Sequence, residues 1–342
     1  MKTNSSRNKI WIVVGVSTAL LLFLFAFFID LGDLVRLFKA INWWNFIGVT
    51  AVLLAGYIFL TIRLRYILLN EPGWEETFYA NSIGFMYHIA LFVPAMVARV
   101  VAIGMVTPIS MPQAYSALLV ERLLEQVMRL SATILVVLLL SSEQTHPTTS
   151  IGGTLIFVIV LFGAIFWTVR HRERVIDTLT FRLSRWGYFS KEQIRSTTST
   201  MLQSLDAISS GRHLMVNLLL SYAAWISFFI FHYLVLAALP LKLSTNQMLL
   251  IAAAVLAVMP PSVNVMLVVY HVIVIVLLVT FQLTNTTVAA TYAIILHLIQ
   301  MICWTILGMG ALRRTGLKRR QIIDEIKSYL HKGSEALEAG NA

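Results

Sequence analysis

The sequence predicts an all-α polytopic membrane protein with six full transmembrane spans and two proline-broken, re-entrant helical hairpins, arranged as an inverted repeat with both termini cytoplasmic. Three observations lead there: the composition, the lengths of the apolar runs and the placement of Lys and Arg. Of the 342 residues 58% are hydrophobic and only 12% are charged, against about 25% charged in an ordinary soluble domain. Mean hydropathy is +0.80. That leaves too little polar surface to coat a soluble globule and excludes a disordered chain. Cys303 is the only cysteine, so a disulfide scaffold is excluded as well. A formal charge of +10 would suggest nucleic acid as a partner. The basic residues instead gather at the ends of apolar runs and in two polar segments, with no zinc spacing, RNP-like motif or helix-turn-helix signature, so no nucleic acid is expected.

A spanning helix needs about 20 mostly apolar residues. Residues 11–29 supply the first run, behind Lys2, Arg7 and Lys9. It exceeds the roughly 7–15 apolar residues of a signal peptide and no small-x-small cleavage site follows, so it reads as an uncleaved anchor. Further full-length runs are residues 45–69, 116–140, 151–169, 213–238 and 287–311. Two other stretches are interrupted, residues 79–107 at Pro94 and residues 246–282 at Pro260 and Pro261. Each proline removes a backbone donor and disfavours helix in the residue before it. At 1.5 Å per residue, about 14 residues on either side of Pro94 give arms of roughly 20 Å, short of the roughly 30 Å hydrocarbon core. A hairpin entering and leaving on one side is expected there. Residues 263–282 are long enough to cross, so the second hairpin is read with one long arm. The domain plan is a cytoplasmic N-terminus (1–10), a single transmembrane domain (11–312) with a cytoplasmic amphipathic segment (170–212), and a basic cytoplasmic tail (313–342).

Charge placement sets the orientation. With the N-terminus in the cytoplasm, 23 of the 26 Lys and Arg fall inside, the exceptions being Arg36, Lys39 and Lys242. The cytoplasmic membrane and an N-in, C-in topology follow. The order span, broken hairpin, span occurs twice, over residues 45–140 and 213–311, in opposite orientations. Transporters built this way hold their substrates where the broken helices meet, and irregular backbone at membrane depth survives only inside protein or along a wet cavity. A polar cavity between Pro94 and Pro260/Pro261 is therefore expected.

Arg99 follows Pro94 by five residues in an apolar arm. Either it snorkels to the cytoplasmic surface, or its planar fork takes a lipid phosphate, for which bidentate geometry favours Arg over Lys. Glu121, Arg122, Glu125 and Arg129 lie at i, i+3 and i+4 spacings on one helix, as a solvated helix end or as a network facing protein or a wet cavity. Arg63 and Arg65, beside Tyr66, read as snorkelling residues at the inner interface, with a secondary place in head-group binding. Of the intramembrane histidines His88, His232, His271 and His297, His271 is the leading candidate for a proton carrier, against a packing role for each. Asn81 and Asn264, one near each break, are candidates to satisfy freed backbone groups.

Two amphipathic segments complete the chain. Val175, Ile176, Leu179, Leu183 and Trp186 alternate with arginines in 170–212, and Ile322, Ile323, Ile326 and Leu330 follow the basic run RRTGLKRR. Both suit membrane adhesion, and the tail also suits docking of a partner. No Walker A, G-x-S-x-G or H-E-x-x-H motif is present, so neither an enzyme nor a cofactor nor a metal site is expected.

The order of these motifs resembles the lysylphosphatidylglycerol synthase transmembrane family, a flippase-like domain found alone or fused to aminoacyl-phospholipid synthases. The resemblance covers about residues 11–312. It rests on RLRYILL (Arg63 to Leu69), LFVPAMVARVV around Pro94, SALLVERLLEQV (Ser116 to Val127) and VMPPSVNVMLVVYH. Family members show a glycine-glutamate pair and a further arginine after the first proline, where this chain has Ala98, Arg99 and Ala102. Ser262, Val263 and Asn264 replace a glycine-rich turn after the second break.

The resemblance implies a lipid translocase whose head-group path is lined by Arg99, Glu121, Arg122, Glu125 and Arg129. Its cargo would be an anionic phospholipid, an aminoacyl-phospholipid or a polyprenyl-linked lipid. Two other expectations stand beside it. One is a non-transporting scaffold for a membrane-bound synthase or glycosyltransferase, suggested by the departures from the family pattern. The other is a proton-coupled small-solute transporter, suggested by the repeat and the histidines.

Overall fold

A computed structural model describes residues 31–91, 93–141, 171–184, 210–239, 243–258, 267–280 and 284–339. The described residues form helices α1 (Leu31–Ala40), α2 (Asn45–Ile67), α3 (Trp74–Leu91), α4 (Ala95–Val106), α5 (Met111–Ser141), α6 (Arg172–Ser184), α7 (Gly211–Ala238), α8 (Thr245–Val258), α9 (Leu267–Thr280), α10 (Thr286–Thr315) and α11 (Arg319–Ala339). Among them α2, α7 and α10 are long and apolar enough to cross a membrane, while α4 and α8 are apolar but shorter. The apolar runs 11–29 and 151–169, the breaking residues Pro260 and Pro261, Asn264, and most of segment 170–212 lie outside the described residues.

Local chemistry sets the helix ends. Ser210 accepts from the His213 amide and Asn285 from the Val288 amide, capping α7 and α10, which satisfies donors that a helix start leaves orphaned. α10 stops at Gly316, whose φ of +68° is a left-handed turn that glycine adopts without a Cβ clash. At the start of α3, the Gly73 amide donates to Glu76 Oε2 and the Thr77 hydroxyl to the Gly73 carbonyl. α3 therefore starts five residues earlier than the apolar pattern suggests, because Trp74, Glu75 and Glu76 belong to a capped, acidic first turn.

The arms of the first hairpin are thus unequal, 18 residues in α3 and 12 in α4, or about 27 and 18 Å at 1.5 Å per residue. In the second, α9 is described over the 14 residues Leu267–Thr280, and the ends of the arm expected over residues 263–282 lie outside the described residues. Pro94 has φ −53° and ψ 132° and precedes α4 as its N-cap residue, where a missing amide proton costs nothing. The Nδ1–H of His88 donates to the Val93 carbonyl and ties the last turn of α3 to the break.

The main core lies where α2, α7 and α10 meet α3. α2 and α7 run antiparallel, with Tyr66 against His213 at one end and Gly56 against Ser227 and Phe228 further along. A ring cluster of Tyr57, Phe85 and Trp304 joins α2, α3 and α10, with Phe85 stacked on Trp304 at 5.3 Å. Ile47, Leu219, Ile226, Ile302 and Ile306 face outward, as lipid-facing residues do because lipid is as apolar as they are. α5 packs against both α4 and α8.

The basic tail is part of this fold. Ile322 and Ile326 of α11 are fully buried against Ile83, Met86 and Tyr87 of α3 and Ala98, Val101 and Ala102 of α4, while Lys318, Arg319 and Arg320 stay exposed. Part of the apolar stripe expected to meet lipid or a partner, Ile322 and Ile326, is thus taken up by the chain itself, while Leu330 stays exposed. A carboxylate in that seam would be buried without a partner, so Ile326→Asp is expected to detach α11. Limited trypsin digestion of the reconstituted protein checks this, through faster cleavage at Lys318 to Arg320 than in wild type.

A buried arginine-glutamate cluster

α5 brings Glu121 and Glu125 to one stripe by their four-residue spacing, and the neighbouring helices close arginines over them. Arg99 of α4 donates from both Nη atoms to the two oxygens of Glu121, at 3.0 and 2.8 Å, and from Nε to Asn81 Oδ1 at 2.9 Å. Arg63 of α2 places Nη2 3.0 Å from Glu121 Oε1 and 3.8 Å from Glu125 Oε1, and Nη1 donates to Ser221 of α7 at 3.1 Å. Arg122 meets Glu125 Oε2 at 2.8 Å. Arg63, Arg99, Glu121 and Glu125 are all at most 2% exposed, whereas the Arg122 side chain is 24% exposed.

A polar shell positions these charges. Asn81 Nδ2 donates to Thr61 Oγ1, whose hydroxyl donates to the Tyr57 carbonyl, and the Tyr57 and Ser82 hydroxyls share a 2.7 Å hydrogen bond. The Arg99 guanidinium lies over the Phe85 ring at 4.9 Å, which adds cation–π attraction on a desolvated face. Gly84 makes the close approach of α3 and α4 possible, since a Cβ there would come within 2.8 Å of Arg99 Cα.

Arg129 lies two turns beyond Arg122 and acts elsewhere. Its Nε and Nη2 donate to the Ala257 and Val258 carbonyls, at 3.0 and 3.3 Å. These are the last carbonyls of α8, which a helix leaves without intrahelical partners. α5 therefore reaches both α4 and α8, holding α4 through Glu121 and the end of α8 through Arg129. Replacing Arg129 by Gln is expected to loosen α8 while sparing the rest of the core. Faster hydrogen exchange in residues 245–258, with little change in α2, is the signature to look for.

Several expectations change on contact with the structure. Arg63 is fully buried in the cluster and does not snorkel, because α7 covers it and Glu121 neutralises it. Arg99, 2% exposed, directs its fork at the Glu121 carboxylate and does not snorkel to a surface. Asn81 bridges Arg99 and Thr61 and, among the described residues, serves no freed backbone group. Arg65 donates to the Pro72 carbonyl in the loop after α2, apart from the cluster, and His271 lies on α9 stacked against His297. Sequence reasoning missed Tyr57, Thr61, Ser82, Gly84 and Ser221. The signal for some was there, in polar or small residues at helical spacing inside α2 and α3.

Among the described residues, no group of three His, Cys, Asp or Glu is placed to hold a metal ion. A family model described as the lysylphosphatidylglycerol synthase TM region matches residues 10–308. No curated protein and no solved structure matches the chain.

Proposed function

The chain belongs to the lysylphosphatidylglycerol synthase transmembrane-region family, and from that premise we propose that it is a lipid translocase of the cytoplasmic membrane, moving an anionic phospholipid or polyprenyl-linked lipid between leaflets. The observation that carries the reading is the surplus of positive charge gathered around α5 from α2, α4 and α5 itself. Among the described residues Arg63, Arg99 and Arg122 pair with the carboxylates of Glu121 and Glu125, and Arg129 adds a further cation. Buried Arg63 Nε has no hydrogen-bond acceptor among the described residues. A phosphate would neutralise that surplus and offer acceptors to partly exposed Arg122 and to Arg129, where charge-assisted bonds are strongest.

In this reading α3–α4 and α8–α9 are re-entrant hairpins of an N-in, C-in inverted repeat, and the head group passes between their breaks. The physical obstacle is that a charged head group cannot cross hydrocarbon alone. Fixed charges in a protein-lined path lower the barrier by standing in for its hydration. The scaffold alternative keeps only part of the α11 stripe as a docking face, because Ile322 and Ile326 are buried against α3 and α4 while Leu330 stays exposed.

The test is leaflet-to-leaflet movement of fluorescent phosphatidylglycerol, a polyprenyl phosphate and, as the neutral control, phosphatidylcholine in proteoliposomes, read with a membrane-impermeant quencher. Arg122→Gln removes one exposed cation and leaves the buried Arg63–Glu121–Arg99 core in place. An interaction of about 1.5–3 kcal/mol with a charged group corresponds to roughly a 10- to 150-fold loss, and that loss is expected for the anionic cargo alone. Equal movement in wild type and variant, or movement of phosphatidylcholine as fast as the anionic lipids, would overturn the proposal.

A further inference from the structure

Taken in chain order, α2 corresponds to α7, α3 and α4 to α8 and α9, and α5 to α10, and each set carries a polar cross-link between its last two helices. Arg99 is the fifth residue of α4, directly after the first break, and it meets Glu121, the eleventh residue of α5. His271 of α9 lies ten residues after Pro261, a different register from that of Arg99, and it meets His297, the twelfth residue of α10. Their rings stack at 5.2 Å and 18°, and both residues are buried. The first helices correspond as well. Arg63 of α2 reaches Glu121 on α5, and His232 of α7 hydrogen-bonds Tyr292 on α10.

What differs is the chemistry. The first repeat links its helices with permanent charges, whereas the second uses imidazoles, which change charge near neutral pH when solvated. The groups acting on His297 are His271 from α9 and His88 from α3. The neighbouring titratable pair is His232 with Tyr292, toward the other end of α10, and Cys303 lies further along α10. Around the stacked rings, Val274 and Leu278 of α9 and Ala293 and Leu296 of α10 are fully buried and apolar.

We propose that His271 and His297 form a proton-binding site, the second repeat's titratable counterpart of the Arg99–Glu121 pair, and that taking up a proton there parts α9 from α10. Two imidazolium ions at that spacing repel, so the closed pair is neutral or holds one proton. A cation in that apolar seam is relieved only by admitting water, so protonation favours the separated arrangement. His88 extends the effect to the first hairpin, since its other ring nitrogen partner is the Val93 carbonyl at that break. The repeats then divide their labour, one for the anion and one for the proton. That division rests on the translocation reading, but the proton site itself does not.

The experiment measures a distance and needs no transport. Nitroxides are placed at Val276→Cys on α9 and Leu298→Cys on α10, both outward-facing positions, in the full chain carrying Cys303→Ser, reconstituted in nanodiscs. Pulsed dipolar spectroscopy compares about pH 7.5 with about pH 5, a window spanning the ordinary histidine range. A longer-distance population is expected to appear on acidification and to be lost in His271→Gln and in His271→Phe/His297→Phe, the second of which keeps a ring stack that cannot titrate. Distances independent of pH in the parent chain, or the same response in the histidine variants, would overturn the proposal. A failure of lipid movement with this response intact would sink the translocation reading alone.

Discussion

Glu121→Ala is expected to be among the most destabilising single substitutions in the protein. It strands Arg63 and Arg99, at most 2% exposed, without the carboxylate both of them face. Removing one partner from a buried ion pair costs about 3–5 kcal/mol, because the remaining charge keeps its desolvation penalty and loses its compensation. The same principle supplies the counter-experiment. Replacing all three residues with apolar ones of similar size, Arg63→Met, Arg99→Met and Glu121→Leu, is expected to recover most of the stability and none of the lipid movement. Thermal unfolding in nanodiscs alongside the proteoliposome assay separates the two effects. Wild-type stability in Glu121→Ala would mean that water reaches the cluster in the folded protein.

The second large effect is expected at Gly84. A methyl group there meets the backbone of α4, 2.8 Å from Arg99 Cα and 2.6 Å from Arg99 Cγ. A flexible side chain could swing aside, but a helix backbone cannot, so α3 and α4 must separate. Overpacking of this kind typically costs about 1–3 kcal/mol, and here it also carries Arg99 away from a carboxylate it holds with two hydrogen bonds. Gly84→Ala is therefore expected to lower both the unfolding temperature and lipid movement. Gly48→Ala is the matched control, since nothing lies within 4 Å of a Cβ there, and alanine is the better helix former by up to about 1 kcal/mol. Equal behaviour of the two variants would show that the α3–α4 contact is slack.

The helix plan was legible because lipid and proline leave strong marks. The runs 45–69, 213–238 and 287–311 agree with α2, α7 and α10 to within a few residues, and Pro94 stands where α4 begins. Hydropathy misplaced what it does not sense. α3 gains its first turn from Trp74 and two glutamates that carry no apolar signal, and α5 starts at Met111 because Pro112 is tolerated in a first turn.

The acidic spacing on α5 was legible for the same reason that any helix face is. The destination of Arg63 was not. A basic residue four positions from the end of a span looks like a snorkelling residue until a neighbouring helix covers it, and α7 lies 158 positions away in sequence at Ser221. The tail raised the same difficulty, since an amphipathic stripe records that a surface is wanted without recording which. Ile322 and Ile326 found theirs on α3 and α4.

The grip of Arg129 on α8 also has a consequence for biosynthesis. Its carbonyl acceptor at Ala257 lies 128 residues further along the chain. At about 5–20 residues per second, the nascent chain carries that guanidinium for roughly 6–26 s before its acceptor has been made. For most of that interval α5, which ends at Ser141, is complete but only half engaged, secured to α4 and waiting for α8. The ordering of the two halves is thus written into the chain as a delay, and a ribosome stalled between residues 129 and 257 would hold the protein with its cation still unclaimed.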